Sequence, residues 1–142
     1  MKIIFGELKK PVFGDFACFI DSKYVVDLPT VDFAVKKAIK NWNLGNRISK
    51  SIAIEILLYY SATRQIDIAK KLAGTKRVVA VVLDESEFSK IDFETKEFIP
   101  EFDIELIMDH YQISREELKI VGEQKISLLV RERIALFSAL GE

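Results

Sequence analysis

Residues 51–60, SIAIEILLYY, constrain the fold more than any other stretch of the chain. Ile52, Ala53, Ile54, Ile56, Leu57 and Leu58 leave a helix no polar side, so a helix over roughly residues 46–60 has to be buried on most of its faces. Such a helix needs cover from several other elements and belongs at the centre of a core. Glu55 is the one carboxylate in this hydrocarbon, and a buried carboxylate is costly unless it is paired and hydrogen-bonded. Arg47, Lys50 and Arg64 are its nearest cationic neighbours in sequence and the expected partners. No second acid accompanies it, so a structural role fits it better than a catalytic one.

The flanking segments supply the cover. KIIFGEL (2–8) and DFACFID (15–21) are rich in β-branched and aromatic residues and read as two strands of one sheet. A helical period begins at DLPTVDFAVKKAIKNWNLG, where Thr30 can cap and Phe33, Ala34, Ala38 and Trp42 share a face until Gly45 ends the helix. QIDIAKKLAG makes a short amphipathic helix stopped by Gly74. RVVAVVLDE is a continuous apolar run, the mark of a strand covered on both faces. The acidic stretch 85–102 leaves room for an edge strand before Pro100. DIELIMDHYQ, a capping box of Ser114 and Glu117, and the apolar EQKISLLVRERIALFSAL give a helical C-terminal part. The pattern predicts a single domain over 1–142 of α+β class: a small mixed sheet packed against helices, with the 46–60 helix in the middle.

The residue inventory excludes much chemistry. One Cys and one His rule out zinc sites built from these residues, and His110 lies in a helical run with no nucleophile elbow anywhere. There is no phosphate-binding glycine loop and no calcium loop. The chain reads as a non-enzyme without cofactor or metal. With no apolar run near 20 residues and no leader-like start, it reads as a cytoplasmic protein in which Cys18 stays reduced. Its net charge is only −1, but the charges are segregated: residues 1–80 hold 14 Lys and Arg against 7 Asp and Glu, residues 81–142 hold 7 against 15. That is either a basic surface facing one partner or two solvated faces that offset one another.

Between the greasy helix and QIDIAKKLAG lies a small polar elbow, Ser61-Ala62-Thr63-Arg64-Gln65. Ser61 and Thr63 can cap the second helix, whose N-terminal amides would favour an anion, and Arg64 adds a fork of donors suited to phosphate. Lys70, Lys71, Lys76 and Arg77 follow with only Asp67 against them, a basic platform for a nucleic-acid backbone. Tyr59 and Tyr60 either offer a stacking surface beside it or belong to the core. A pairing of Arg64 with Glu55 would leave the lysines as a solvated helix face.

NRISKSIAIEILLYYSATRQIDIAKKLAG followed by RVVAVVLDE resembles the small accessory-subunit family of the KEOPS (EKC) complex, called PRPK-binding protein or TPRKB in animals. Glu55, Ile56, Leu57, Tyr59, Arg64, Gln65, Ile66 and Ala69 fall in the family's order, and ERIALFSAL (132–140) resembles its closing helix. The likeness is specific over 46–84, and Ala62-Thr63 departs from it where a Gly often sits. It implies a non-catalytic protein that binds the KEOPS kinase/ATPase subunit, meets the other KEOPS subunits indirectly and helps in threonylcarbamoyladenosine synthesis on tRNA, held by its 3′ CCA end. Carried onto this chain, Ser61, Arg64, Gln65, Lys70, Lys71, Lys76 and Arg77 become the tRNA site. Leu129, Arg133, Leu136 and Leu140 on the last helix become the kinase-docking face. The alternative is a small-molecule or anion-binding regulatory domain using the 61–65 elbow.

Overall fold

The run RVVAVV folds as a strand with Val78 through Val82 all buried. In the computed structural model, which describes residues 1–140, it is β3 (Arg77–Val82) of a four-stranded sheet. The others are β1 (Lys2–Leu8), β2 (Ala17–Asp21) and β4 (Phe93–Lys96), in the order β2-β3-β1-β4. The two N-terminal strands share the sheet but are not neighbours, because β3 lies between them. Every pairing is antiparallel, so within the expected α+β class the sheet is not mixed in direction.

The register explains why β3 shows no alternation. Val79 and Val81 stand opposite Phe5 and Ile3 on one side and Ile20 and Cys18 on the other, and this face joins the core under the helices. Val78, Ala80 and Val82 point to the opposite face, where Phe19 stacks with Phe88, and Phe88 leans on Phe93. That face is roofed by the turn α4 (Glu85–Phe88). With both faces covered, apolar residues suit every position. Gly6 permits the close approach of β4: a Cβ there would collide with the Glu94 carbonyl and the Phe93 ring.

On the helical side, α1 (Leu28–Asn43) is capped by Asp27, whose carboxylate accepts from the Thr30 amide at 2.8 Å. Thr30, the expected cap, is buried one turn further in and accepts from Arg131. The central helix α2 (Ile52–Ser61) is buried as its sequence requires, but it starts at Ile52, not near 46, with Ser51 as its cap.

Glu55 explains the later start. Its side chain is fully buried, and its Oε1 accepts the amides of Ile48 (at 2.8 Å) and Ser49. Residues 46–51 therefore wrap over the carboxylate instead of continuing the helix. None of the expected cations reaches it. Arg47 lies 4.0 Å over the Trp42 ring and donates to the Trp42 carbonyl, and Lys50 and Arg64 are exposed. Oriented amides fill the role assigned to a cation, and Oε2 has no hydrogen-bond partner among the described residues.

After the elbow come the single turn α3 (Ile66–Ala69) and a 3₁₀ turn over Lys70–Leu72. The C-terminal part consists of α5 (Ile104–Tyr111), α6 (Arg115–Val121), which starts with the expected Ser114–Glu117 capping box, and α7 (Ile126–Leu140). α7 buries Ile126, Leu129, Val130 and Ile134 against α1 and α2. Among the described residues no helix is long and apolar enough to cross a membrane.

Candidate functional site

The elbow begins with a helix ending that satisfies its carbonyls one by one. Ala62 adopts the left-handed conformation (φ 52°, ψ 42°), and the Thr63 amide donates back to Leu58 at 3.1 Å while the Ala62 amide donates to Tyr59 at 3.2 Å. This is the six-to-one, five-to-two closure that favours glycine at its pivot. Further along, the Tyr111 hydroxyl donates to the Tyr60 carbonyl, and His110 Nε2 donates to that of Ser61 at 2.7 Å. α5 thus holds the end of α2, and since a carbonyl only accepts, Nε2 of His110 must carry a proton, as it does in the Nε2–H tautomer or the imidazolium. Burial lowers the His110 pKa, with Lys71 near enough to add to that effect.

Ala62 keeps a Cβ at a position where L-residues are strained by roughly 1–2 kcal/mol. Ala62→Gly removes that strain and gives back part of it as unfolded-chain entropy. A gain in stability of about 0.5–1 kcal/mol is expected, read as a raised midpoint in urea unfolding.

Several expected site residues take other roles. Ser61 is buried, and its hydroxyl donates to the Leu58 carbonyl at 3.2 Å, so it offers nothing to a ligand. Neither Ser61 nor Thr63 caps the next helix. Thr63 Oγ1 accepts from the Gln65 amide at 3.1 Å, ahead of it, and α3 is four residues long with no side-chain cap. So short a helix carries too little dipole to hold an anion. Tyr59 and Tyr60 are core residues. Tyr59 meets Phe137 edge-on at 5.1 Å, and the Tyr60 hydroxyl donates to the Tyr24 carbonyl and accepts from the Val26 amide. Their rings are not a stacking platform.

Arg77 is also committed. Its guanidinium donates to Glu101 at 2.7 Å and to Glu7 at 2.8 Å and lies over the Phe5 ring. The two carboxylates raise its pKa and neutralise it locally. Lys76 beside it is exposed, but both residues line clefts with 7–11 and 21–23 at the end of the sheet, separate from the elbow groove.

Four of the expected residues remain, two in the elbow and two in the turn that follows it. Arg64, Gln65, Lys70 and Lys71 are exposed. The side chains of Arg64, Lys70 and Lys71 have no hydrogen-bond or ion-pair partner among the described residues. Buried Ala69 and Leu72 fix the turn that presents the two lysines.

The C-terminal helix approaches the same place. Leu136 and Leu140, one turn apart, are 56% and 84% exposed. Together with Phe137, Arg133, Ala62 and Arg64 they line one shallow groove. The sequence separates these two sets by some seventy positions, and nothing local in it signals that they meet. Leu129 is buried under the helix and is not available to a partner.

Arg133 has a structural task. Nε donates to the Tyr111 carbonyl at 3.2 Å and Nη2 to that of Gln112 at 2.9 Å, capping the end of α5 where Gln112 turns left-handed. Nη2 also meets both oxygens of Glu117, at 2.9 and 3.0 Å. Arg133→Ala strands two helix-end carbonyls and a carboxylate, and a loss of about 2–3 kcal/mol in urea unfolding is expected. Arg133, helped by the Ser114 amide, pulls the Glu117 pKa down to about 2 from 4.5. A carboxylate with a lowered folded pKa adds stability that is complete above 4.5 and lost as pH falls towards 2. Glu117→Gln should therefore flatten that part of the acid limb of a thermal-midpoint profile.

The model of a family described as kinase binding protein CGI-121 matches residues 7–138. A search of curated proteins finds no match.

Proposed function

The chain belongs to the kinase-binding protein CGI-121 family, and on that premise we propose that it is a non-catalytic KEOPS subunit that docks the complex's kinase/ATPase and recruits tRNA by its 3′ end. It would thereby serve threonylcarbamoyladenosine synthesis in the cytoplasm. Cys18 is buried, and burial pushes its thiol up to about 12, so it serves as an inert core residue.

Kinase docking falls to Leu136 and Leu140. Exposed aliphatic side chains in one helical row suit a protein interface, and Leu129 and Arg133 hold that row in place from beneath. The tRNA end falls to the elbow: Arg64 for phosphate, Gln65 for polar base or ribose contacts, Lys70 and Lys71 for backbone charge. Lys76 adds longer-range attraction from the end of the sheet. The observation that carries this reading is the juxtaposition of an exposed Arg64, without a partner among the described residues, with the exposed leucine row. A small-molecule site is less well supported, because the elbow is an open groove where small ligands favour enclosed pockets.

The double variant Leu136→Asp, Leu140→Asp tests the docking half. Both positions are at the surface, so the chain should unfold at its usual urea midpoint while kinase affinity drops by about a hundred-fold or more. A folded variant that still binds the kinase at full strength would remove α7 from the interface.

A further inference from the structure

The same arginine that faces the RNA site borders the docking groove, and this has an energetic consequence. The groove holds two guanidinium groups of different standing: Arg133 is answered by Glu117 and two carbonyls, whereas Arg64 has no partner among the described residues. Its other walls are Ala62, Leu136, Phe137 and Leu140. We infer that kinase docking and capture of the RNA end reinforce each other through Arg64, an inference that rests on the function proposed above.

A partner covering the leucine row removes water from the flank of Arg64. Without an anion at hand, stripping an unpaired guanidinium of solvent opposes docking. With a phosphate already on its outer edge, the charge is compensated, and the attraction strengthens as the local dielectric falls. Each ligand therefore removes part of the penalty that the other meets. Linkage makes the effect reciprocal: the factor by which the kinase tightens RNA equals the factor by which RNA tightens the kinase.

The test measures affinity for an intact tRNA transcript with and without saturating kinase, for the full chain and for Arg64→Ala. In the unaltered chain the kinase should tighten tRNA by a factor within about 5–150, the usual range of such couplings. In Arg64→Ala the factor should fall close to one, although the kinase still docks. The inference is overturned if the kinase leaves tRNA affinity unchanged, or if the same tightening survives in Arg64→Ala, which would place its source in the kinase's own RNA contacts. Two binary complexes that form normally but without coupling would sink this inference alone. Failure of the isolated chain to bind tRNA at all would sink the proposed recruitment with it.

Discussion

Replacing Glu55 by alanine is expected to destabilise the protein by about 3–5 kcal/mol, a large share of the 5–15 kcal/mol typical of a domain. The carboxylate is fully buried and accepts the amides of Ile48 and Ser49, so the change removes two charge-assisted hydrogen bonds at once. It also opens a void at the start of α2 and releases the 46–51 segment from the core. Glu55→Gln retains one acceptor oxygen and the volume, and should cost roughly half as much. Urea unfolding measures both. A Glu55→Ala variant within 1 kcal/mol of the parent would mean that the 46–51 wrap does not depend on this carboxylate. Arg64 offers a contrast: Arg64→Ala should shift stability by no more than about 0.5 kcal/mol, as expected for an exposed residue with no partner among the described residues. Equal destabilisation of the two variants would restore the ion pair between them that the structure lacks.

Arg64→Glu is expected to weaken tRNA binding by ten- to a hundred-fold, on the order of 1.5–3 kcal/mol for a lost charge-assisted phosphate contact. Reversal adds repulsion from the phosphate, so the loss should lie at the upper end. The slope of log affinity against log salt should also become shallower by about one counterion. Lys70→Ala and Lys71→Ala should each act in the same direction more weakly, because a flexible ammonium gives attraction without bidentate geometry. Normal urea midpoints throughout would separate these effects from misfolding. An Arg64→Glu variant that binds tRNA as the parent does would transfer the RNA site elsewhere, the Lys76 end of the sheet being the next basic surface.

Much of the architecture is legible in the sequence because it rests on local periodicity. The apolar circumference of 52–58 announces a buried helix, and the unbroken RVVAVV announces a strand with two covered faces. Ser114 and Glu117 form the capping box their spacing suggests. What stays hidden depends on where the backbone goes next. Glu55 plainly needs a partner, but sequence neighbours suggest cations, and two amides of a wrapping loop leave no composition signal. Ser61 resembles a cap until α2 is found to continue through it. Arg77 and Arg64 look alike in a basic run; only the fold, which sets Glu7 across from Arg77 in the sheet and brings Glu101 to it, shows that the first is occupied while the second has no partner among the described residues. The meeting of the elbow with Leu136 and Leu140 is set by how α7 packs on α2, a tertiary fact with no trace in either segment.

The most direct measurement compares the affinity of the chain for intact tRNA and for the same tRNA lacking its 3′ CCA, each across a range of salt concentrations. The expected result is a steep fall with salt for the intact molecule and a marked loss of affinity on trimming. Equal affinity for both RNAs, with no dependence on salt, would contradict a cationic elbow that receives the single-stranded end.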